Sequence, residues 1–232
     1  MLAVASWLNV FIRQAKHIGM ATIAQSVNVI SPLMTTERGV VKQTTYWPLM
    51  LFSKFMRGRS LAAHVRSMAY TGRTWPEWLA STMDLPLLDV SAALSDGGFV
   101  NLAVVNLSPT EAVETALPVI KGPVNVFVVG GNINQLRDNN IEGKEKVYIR
   151  ESKWQGGEKF GFEKHSFTLL RWKADGLDLP AEPTLNIAHD EPNQLHHDEP
   201  NGWPDELLNG APLERSTMVS EKWELNGMAN GH

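Results

Sequence analysis

The chain has 232 residues, 43% of them hydrophobic, no cysteine and a formal net charge of −4. That is enough apolar material for one large or two modest domains, while the missing cysteine excludes disulfides, thiolate metal sites and thiol nucleophiles. The balance of 21 basic against 25 acidic side chains makes no case for nucleic acid, and no apolar run reaches the roughly 18 residues that a membrane span requires.

The charge is unevenly placed. Residues 173–232 carry three basic side chains (Lys173, Arg215, Lys222) and twelve acidic ones, a net of −9, which leaves +5 on residues 1–172.

The first 30 residues read as helical. Val4, Trp7, Leu8, Phe11 and Ile12 recur at three- and four-residue spacing, with Arg13, Gln14 and Lys16 off that face. The apolar start resembles a signal peptide, yet it lacks a positive leading region and a small-residue cleavage site, and Arg13 interrupts it. A buried amphipathic helix is the expectation. No compartment is assigned, the sequon Asn106-Leu107-Ser108 being weakened by Pro109.

The β-branched run Val27-Asn28-Val29-Ile30, stopped by Pro32, suits a strand buried on both faces. A polar loop, Thr35 to Lys42, follows. Tyr46 to Phe55 then forms a second apolar helix, with Pro48 acceptable in its first turn. Helix, buried strand, loop and helix together follow the grammar of a β/α protein.

From about Gly58 the grammar changes to short alternating runs. They are Leu61–Tyr70, Leu87–Leu94, Phe99–Asn106, Val124–Val129, Lys146–Glu151 and Ser166–Trp172, with Asp96-Gly97-Gly98, Ser108-Pro109, Gly130-Gly131 and Gly156-Gly157 as punctuation. Six or seven strands in some 110 residues point to an antiparallel sandwich. Beyond Trp172 the periodicity stops. Six prolines, five glycines and the repeated His-Asp-Glu-Pro-Asn at 189–193 and 197–201 mark a segment expected to be disordered.

Three stretches carry a family resemblance. Residues 7–35 (WLNVFIRQAKHIGMATIAQSVNVISPLMT), 40–53 (VVKQTTYWPLMLFS) and 138–172 (including NIEGKEKVYIRE and FEKHSFTLLRW) resemble, in family order, the end of the barrel and the closing sandwich strands of glycoside hydrolase family 51 α-L-arabinofuranosidases, fungal members above all. The resemblance implies a (β/α)8 barrel followed by a sandwich. It also implies removal of terminal non-reducing α-L-arabinofuranosyl residues from arabinoxylan or arabinan with retention. Retention needs two carboxyl groups about 5–5.5 Å apart. In this family they are glutamates on the fourth and seventh barrel strands, upstream of the segment matched at residue 7.

A complete barrel takes about 250 residues. The fold expected here is therefore mainly β, a jelly-roll-like antiparallel β-sandwich preceded by the last βα unit of an incomplete barrel and followed by a disordered acidic tail. The segments are 1–57, 58–172 and 173–232, with residues 27–34 matching the eighth barrel strand and 46–57 the helix after it. No catalytic residue carries over, and the chain alone is expected to be inactive. Gln43 matches a family glutamine that hydrogen-bonds arabinofuranose, work suited to an amide that both donates and accepts. Trp47 is placed to line the same cleft, with helix packing as the competing role.

Other constellations read as structure. Glu37, at the catalytic face of such barrels, has no partner carboxylate and is expected to be solvated. His189, Asp190, His196, His197 and Asp198 are chemically suitable for a metal but lack fixed geometry. His165 and Ser166 point to opposite strand faces. Gly130-Gly131 lacks dinucleotide spacing. Trp75 and Trp78 read as one packed turn rather than a sugar platform, and Lys144 to Lys146 as a charged strand edge. No cofactor or metal is expected. The partner is an arabinose-containing polysaccharide or oligosaccharide, with neither nucleic acid nor membrane, and a homo-oligomer is left open because the barrel remnant would expose apolar surface. The rival reading is a non-catalytic sandwich that binds carbohydrate or another subunit.

Overall fold

The chain opens on α1 (Leu2–Arg13), continues through a hairpin of β1 (Leu33–Thr36) and β2 (Gly39–Lys42), and enters α2 (Tyr46–Phe55). Six further strands follow: β3 (Arg59–Leu61), β4 (Leu88–Leu94), β5 (Phe99–Asn106), β6 (Val113–Gly130), β7 (Arg150–Phe162) and β8 (Ser166–Lys173). This computed structural model describes residues 1–37, 39–71, 74, 77–78, 85–130 and 146–174. The segment 173–232 lies outside the described residues except for Lys173 and Ala174.

The six strands form one antiparallel sheet in the order β3-β4-β5-β8-β6-β7. Strand β8 sits at its centre, and all of Ser166–Arg171 is buried. That explains why FTLLRW is apolar on both faces rather than alternating. On one face Phe52 stacks on Phe167 at 5.6 Å and Phe55 meets Phe127 at 5.0 Å, which seats α2 on the sheet. On the other face Leu88, Val90, Val104, Val124, Val126 and Leu170 share a core with Ile120 and Phe162.

Ile120 and Phe162 reach that core because the long β6–β7 hairpin folds over. Its register shifts twice, between Ala116 and Ile120 and between Lys121 and Val124. One sheet folded on itself supplies both layers of the sandwich. Gly156-Gly157 reads from sequence as a turn, yet both residues lie inside β7 at the bend, as Pro118 and Pro123 lie inside β6 beside it. Gly156 adopts φ +80°, and a Cβ there would run into the Ile120 carbonyl.

Four element expectations are corrected. The first helix ends at Arg13 rather than near residue 30, because Gln14-Ala15-Lys16-His17 offers no apolar stripe to bury. The Val27–Pro32 run is no strand. Val27 makes one parallel bridge to Leu33, and the parallel neighbours that a doubly buried strand needs are absent from the described residues. The loop from Thr35 to Lys42 is instead paired, Leu33 opposite Lys42 and Thr36 opposite Gly39, as its β-branched threonines and valines favour. In the run Leu61–Tyr70 only Leu61 belongs to a strand. The alternation beyond it records an extended segment laying Ala63 and Val65 on the core.

α2 matches its expected span. Gly58 follows it with φ +106°, where a Cβ would collide with the Leu94 carbonyl, so the chain can turn close under β4 into β3. A polar junction fixes α1. Asn9 Nδ2 donates to the Asp89 carbonyl at 3.1 Å and to its carboxylate at 3.0 Å, while Ser91 Oγ donates to Asn9 Oδ1 at 2.7 Å. Arg13 closes the group with bonds to Asp89 Oδ1 at 2.6 Å and to the Val90 carbonyl at 2.5 Å. The described residues all lie within a single compact unit, Met1–Pro183.

Candidate functional site

The β1–β2 hairpin delivers the chain to the turn that opens α2, and Gln43 occupies this turn. Its backbone N–H donates to the Pro32 carbonyl at 2.9 Å, and its carbonyl accepts from the Tyr46 N–H at 2.9 Å. The backbone of Gln43 is thus held on both sides, and the half-buried side chain is carried on a fixed support. A fixed support matters for a sugar contact, because an amide that must first be ordered loses part of its binding free energy.

Trp47 lies one residue past Tyr46 and is 8% exposed. Its indole N–H donates to the Val147 carbonyl at 2.7 Å, and Tyr46 meets it edge-on at 5.1 Å. Lys42 Nζ lies 5.5 Å from the Trp47 ring centroid and 5.9 Å from that of Tyr46. The buried Val147 therefore meets the start of α2, so a segment a hundred residues further along the chain braces the turn that carries Gln43. Sequence reasoning placed Gln43 and Trp47 near each other but missed Val147. A backbone carbonyl as partner leaves no side-chain signal to find.

The remaining constellations resolve into structure. Glu37 is exposed in the hairpin turn. Ser166 Oγ donates to the Glu163 carbonyl at 2.7 Å, so the hydroxyl next to His165 is engaged in a turn. Burial, and then the nearby positive chain terminus, hold the His165 imidazole below its ordinary pKa. Trp78 is 61% exposed, whereas Trp75, Gly131, Lys144 and the histidines of the tail lie outside the described residues.

Among the described residues no cluster of three or more His, Asp or Glu side chains is arranged for a metal, and no helix is long and apolar enough to cross a membrane. A depression of about 250 Å3 is lined by Arg13, His64, Pro86 and Asp89 among others. Its carboxylate is already engaged by Arg13 and Asn9, and none of its lining residues belongs to the Gln43 turn.

A family model for the α-L-arabinofuranosidase C-terminal domain matches residues 1–166, more than half of the chain. The chain belongs to that family. The arabinofuranosidase match reaches 54% identity over 173 residues with the "Probable alpha-L-arabinofuranosidase C" of Aspergillus flavus, covering 75% of this chain and 34% of that protein. It is 52% over 173 residues with the alpha-L-arabinofuranosidase C of Emericella nidulans, with the same shares covered. The chain thus spans about a third of the length of the curated relatives it matches.

Among solved structures, the α-L-arabinofuranosidase of Thermotoga maritima in its arabinose complex aligns with a TM-score of 0.61 at 18% identity, over 74% of this chain and 37% of that one. This second likeness is one of fold. Together they meet the expectation drawn from the three motif stretches, a C-terminal portion of a glycoside hydrolase family 51 arabinofuranosidase. They also account for the mainly antiparallel β architecture of the described residues.

Proposed function

We propose that this chain is the C-terminal part of an enzyme that hydrolyses terminal non-reducing α-L-arabinofuranosyl residues of arabinoxylan or arabinan with retention. In this reading residues 1–57 derive from the end of the catalytic barrel, 58–172 form the sandwich and 173–232 an acidic extension. Gln43 hydrogen-bonds the arabinofuranose, and Trp47 forms the wall beside it. The observation that carries the reading is the family match across residues 1–166, combined with a Gln43 turn whose backbone is held at Pro32 and Tyr46.

The catalytic carboxylates belong to the upstream portion of such enzymes, so this chain contributes a substrate contact and no acid, base or nucleophile. Purified 232-residue protein is expected to leave p-nitrophenyl α-L-arabinofuranoside intact. Turnover above a mock purification would overturn the missing-carboxylate argument. In a longer protein that carries both carboxylates, Gln43→Ala should lower kcat/KM about tenfold, the effect of one lost hydrogen bond in a closed site. An unchanged kcat/KM would remove Gln43 from the site. Micromolar arabinan binding by the chain alone would favour the non-catalytic module instead.

A further inference from the structure

The depression beside α1 has its cause in chain length. Leu61 pairs with Ala92 at the end of β3, and the segment rejoins the neighbourhood of β4 where the Leu87 N–H donates to the Met68 carbonyl at 2.8 Å. Between these anchors residues 62–67 stand against residues 88–91, six against four, so the segment bows away from β4. Side chains serve the strand edge left open. Arg13 Nη1 donates to the Val90 carbonyl at 2.5 Å, and the Leu88 N–H donates to Ser67 Oγ at 3.3 Å. The bow leaves the depression of about 250 Å3, lined by the apolar Val65, Pro86, Leu88 and Val90 together with Arg13 and His64.

Cations flank this depression without matching counter-charge. Arg13 bonds Asp89 and Val90 through Nη1 alone, so among the described residues its Nε and Nη2 keep three N–H donors unused, on a side chain 32% exposed. Lys16 follows Arg13 by three positions, Arg66 adjoins Val65, and Arg59 adjoins Ser60, whose hydroxyl donates to the Ile12 carbonyl at 2.8 Å. All three are exposed, and none has an ion-pair partner among the described residues. Asp89 cancels Arg13, which leaves the three flanking charges in excess. The same bias runs through residues 1–76, where nine basic side chains face the single acidic Glu37.

We infer that the depression binds a uronate unit of an acidic polysaccharide. The unit's carboxylate sits on the unused side of the Arg13 guanidinium, and Lys16, Arg59 and Arg66 answer the charges of neighbouring units. A planar guanidinium takes a carboxylate through two parallel N–H bonds, and apolar walls suit the C–H face of a pyranose ring. The volume admits one such ring, being below the roughly 300–1,000 Å3 of larger ligand sites. No aromatic side chain lines it, so a nucleic-acid base has nothing to stack on. The choice of a saccharide rests on the proposed function, and the choice of an anion on the groove itself.

Calorimetric titration of the 232-residue chain compares trigalacturonate with its carboxyl-reduced neutral counterpart, with citrate and with a single-stranded oligonucleotide. Trigalacturonate is expected to bind with a submillimolar Kd, about tenfold or more tighter than the other three. It should also slow amide exchange across residues 62–67 and weaken as salt rises. Arg13→Lys keeps a charge beside Asp89 but loses the planar fork, so it should bind about tenfold more weakly. The exposed pair Lys16→Gln, Arg66→Gln should melt as the parent does and also lose about tenfold, which keeps the test decisive where Arg13→Lys folds poorly. The inference is overturned by equal binding of the neutral trisaccharide, citrate or the oligonucleotide, by no binding at millimolar trigalacturonate, or by a double variant that binds as the parent does. Arabinofuranoside hydrolysis is scored separately, in the longer protein. An unchanged kcat/KM for Gln43→Ala there counts against the proposed function, and selective trigalacturonate binding by the same variant leaves the inference standing.

Discussion

At the scale of single residues, the centre of the sheet holds two polar side chains with different outcomes. Arg171 is 6% exposed on β8, bonded to Asn101 Oδ1 at 2.8 Å, with its guanidinium 3.9 Å from the Phe99 ring centroid and 5.0 Å from that of Phe55. Planar delocalised charge between aromatic rings is the arrangement that suits arginine rather than lysine. Thr168, three positions before Arg171 on β8, faces the opposite layer. Its buried hydroxyl has no hydrogen-bond partner among the described residues. A buried hydroxyl without a partner carries a desolvation penalty of about 1–3 kcal/mol. Thr168→Val keeps the shape and the β-branch while removing the oxygen, so it should stabilise the chain by about 1 kcal/mol. Thermal melting of the two purified proteins checks this. A lower melting temperature for the valine variant would mean that the hydroxyl has a partner in solution.

At the scale of elements, the attachment of α1 shows what the sequence could and could not reveal. The three- and four-residue spacing from Val4 to Ile12 announced a helix, but Asn9 lies within that stretch and carries the attachment. Its amide satisfies Asp89 and Ser91 at once, all three on partners about eighty positions away. Long-range polar pairing of this kind leaves no periodic trace. The same limit hid the bend in β6–β7. Proline and glycine mark a turn and a strand bend with the same residues, and only the pairing of Ile120 with Gly157 distinguishes them. By contrast β5, β8 and α2 were legible nearly to the residue, because continuous burial or steady alternation fixed their limits. At the candidate site the Gln43 turn was legible through motif and order, and its brace at Val147 was not. The junction also gives a cycle to measure. Asn9→Ala leaves the Ser91 hydroxyl without its acceptor, takes a donor from two Asp89 oxygens and should cost about 2–4 kcal/mol. Adding Ser91→Ala should return part of that loss, because deleting both partners leaves fewer groups stranded. Strict additivity in denaturant melts would show that the three groups act independently.

At the scale of the whole molecule, the sequence pattern changes near residue 58 from helical to strand-like, whereas packing joins the two sides. Phe127, Val129, Phe167 and Leu169 lie on the sheet face that α2 covers, and each is at most 5% exposed. Uncovering four such side chains forfeits about 1.5–3 kcal/mol apiece, about 6–12 kcal/mol in all. Net stability for a domain of this size is about 5–15 kcal/mol, so the loss is comparable to everything that holds the fold. The sheet cannot spare its helices. A chain of residues 58–174 should therefore show no cooperative thermal transition and should bind a hydrophobic dye strongly, while a chain of residues 1–183 melts in one step. If residues 58–174 melted cooperatively instead, the core between β4, β6 and β8 would be sufficient by itself. The helices would then be dispensable for folding rather than one wall of the core.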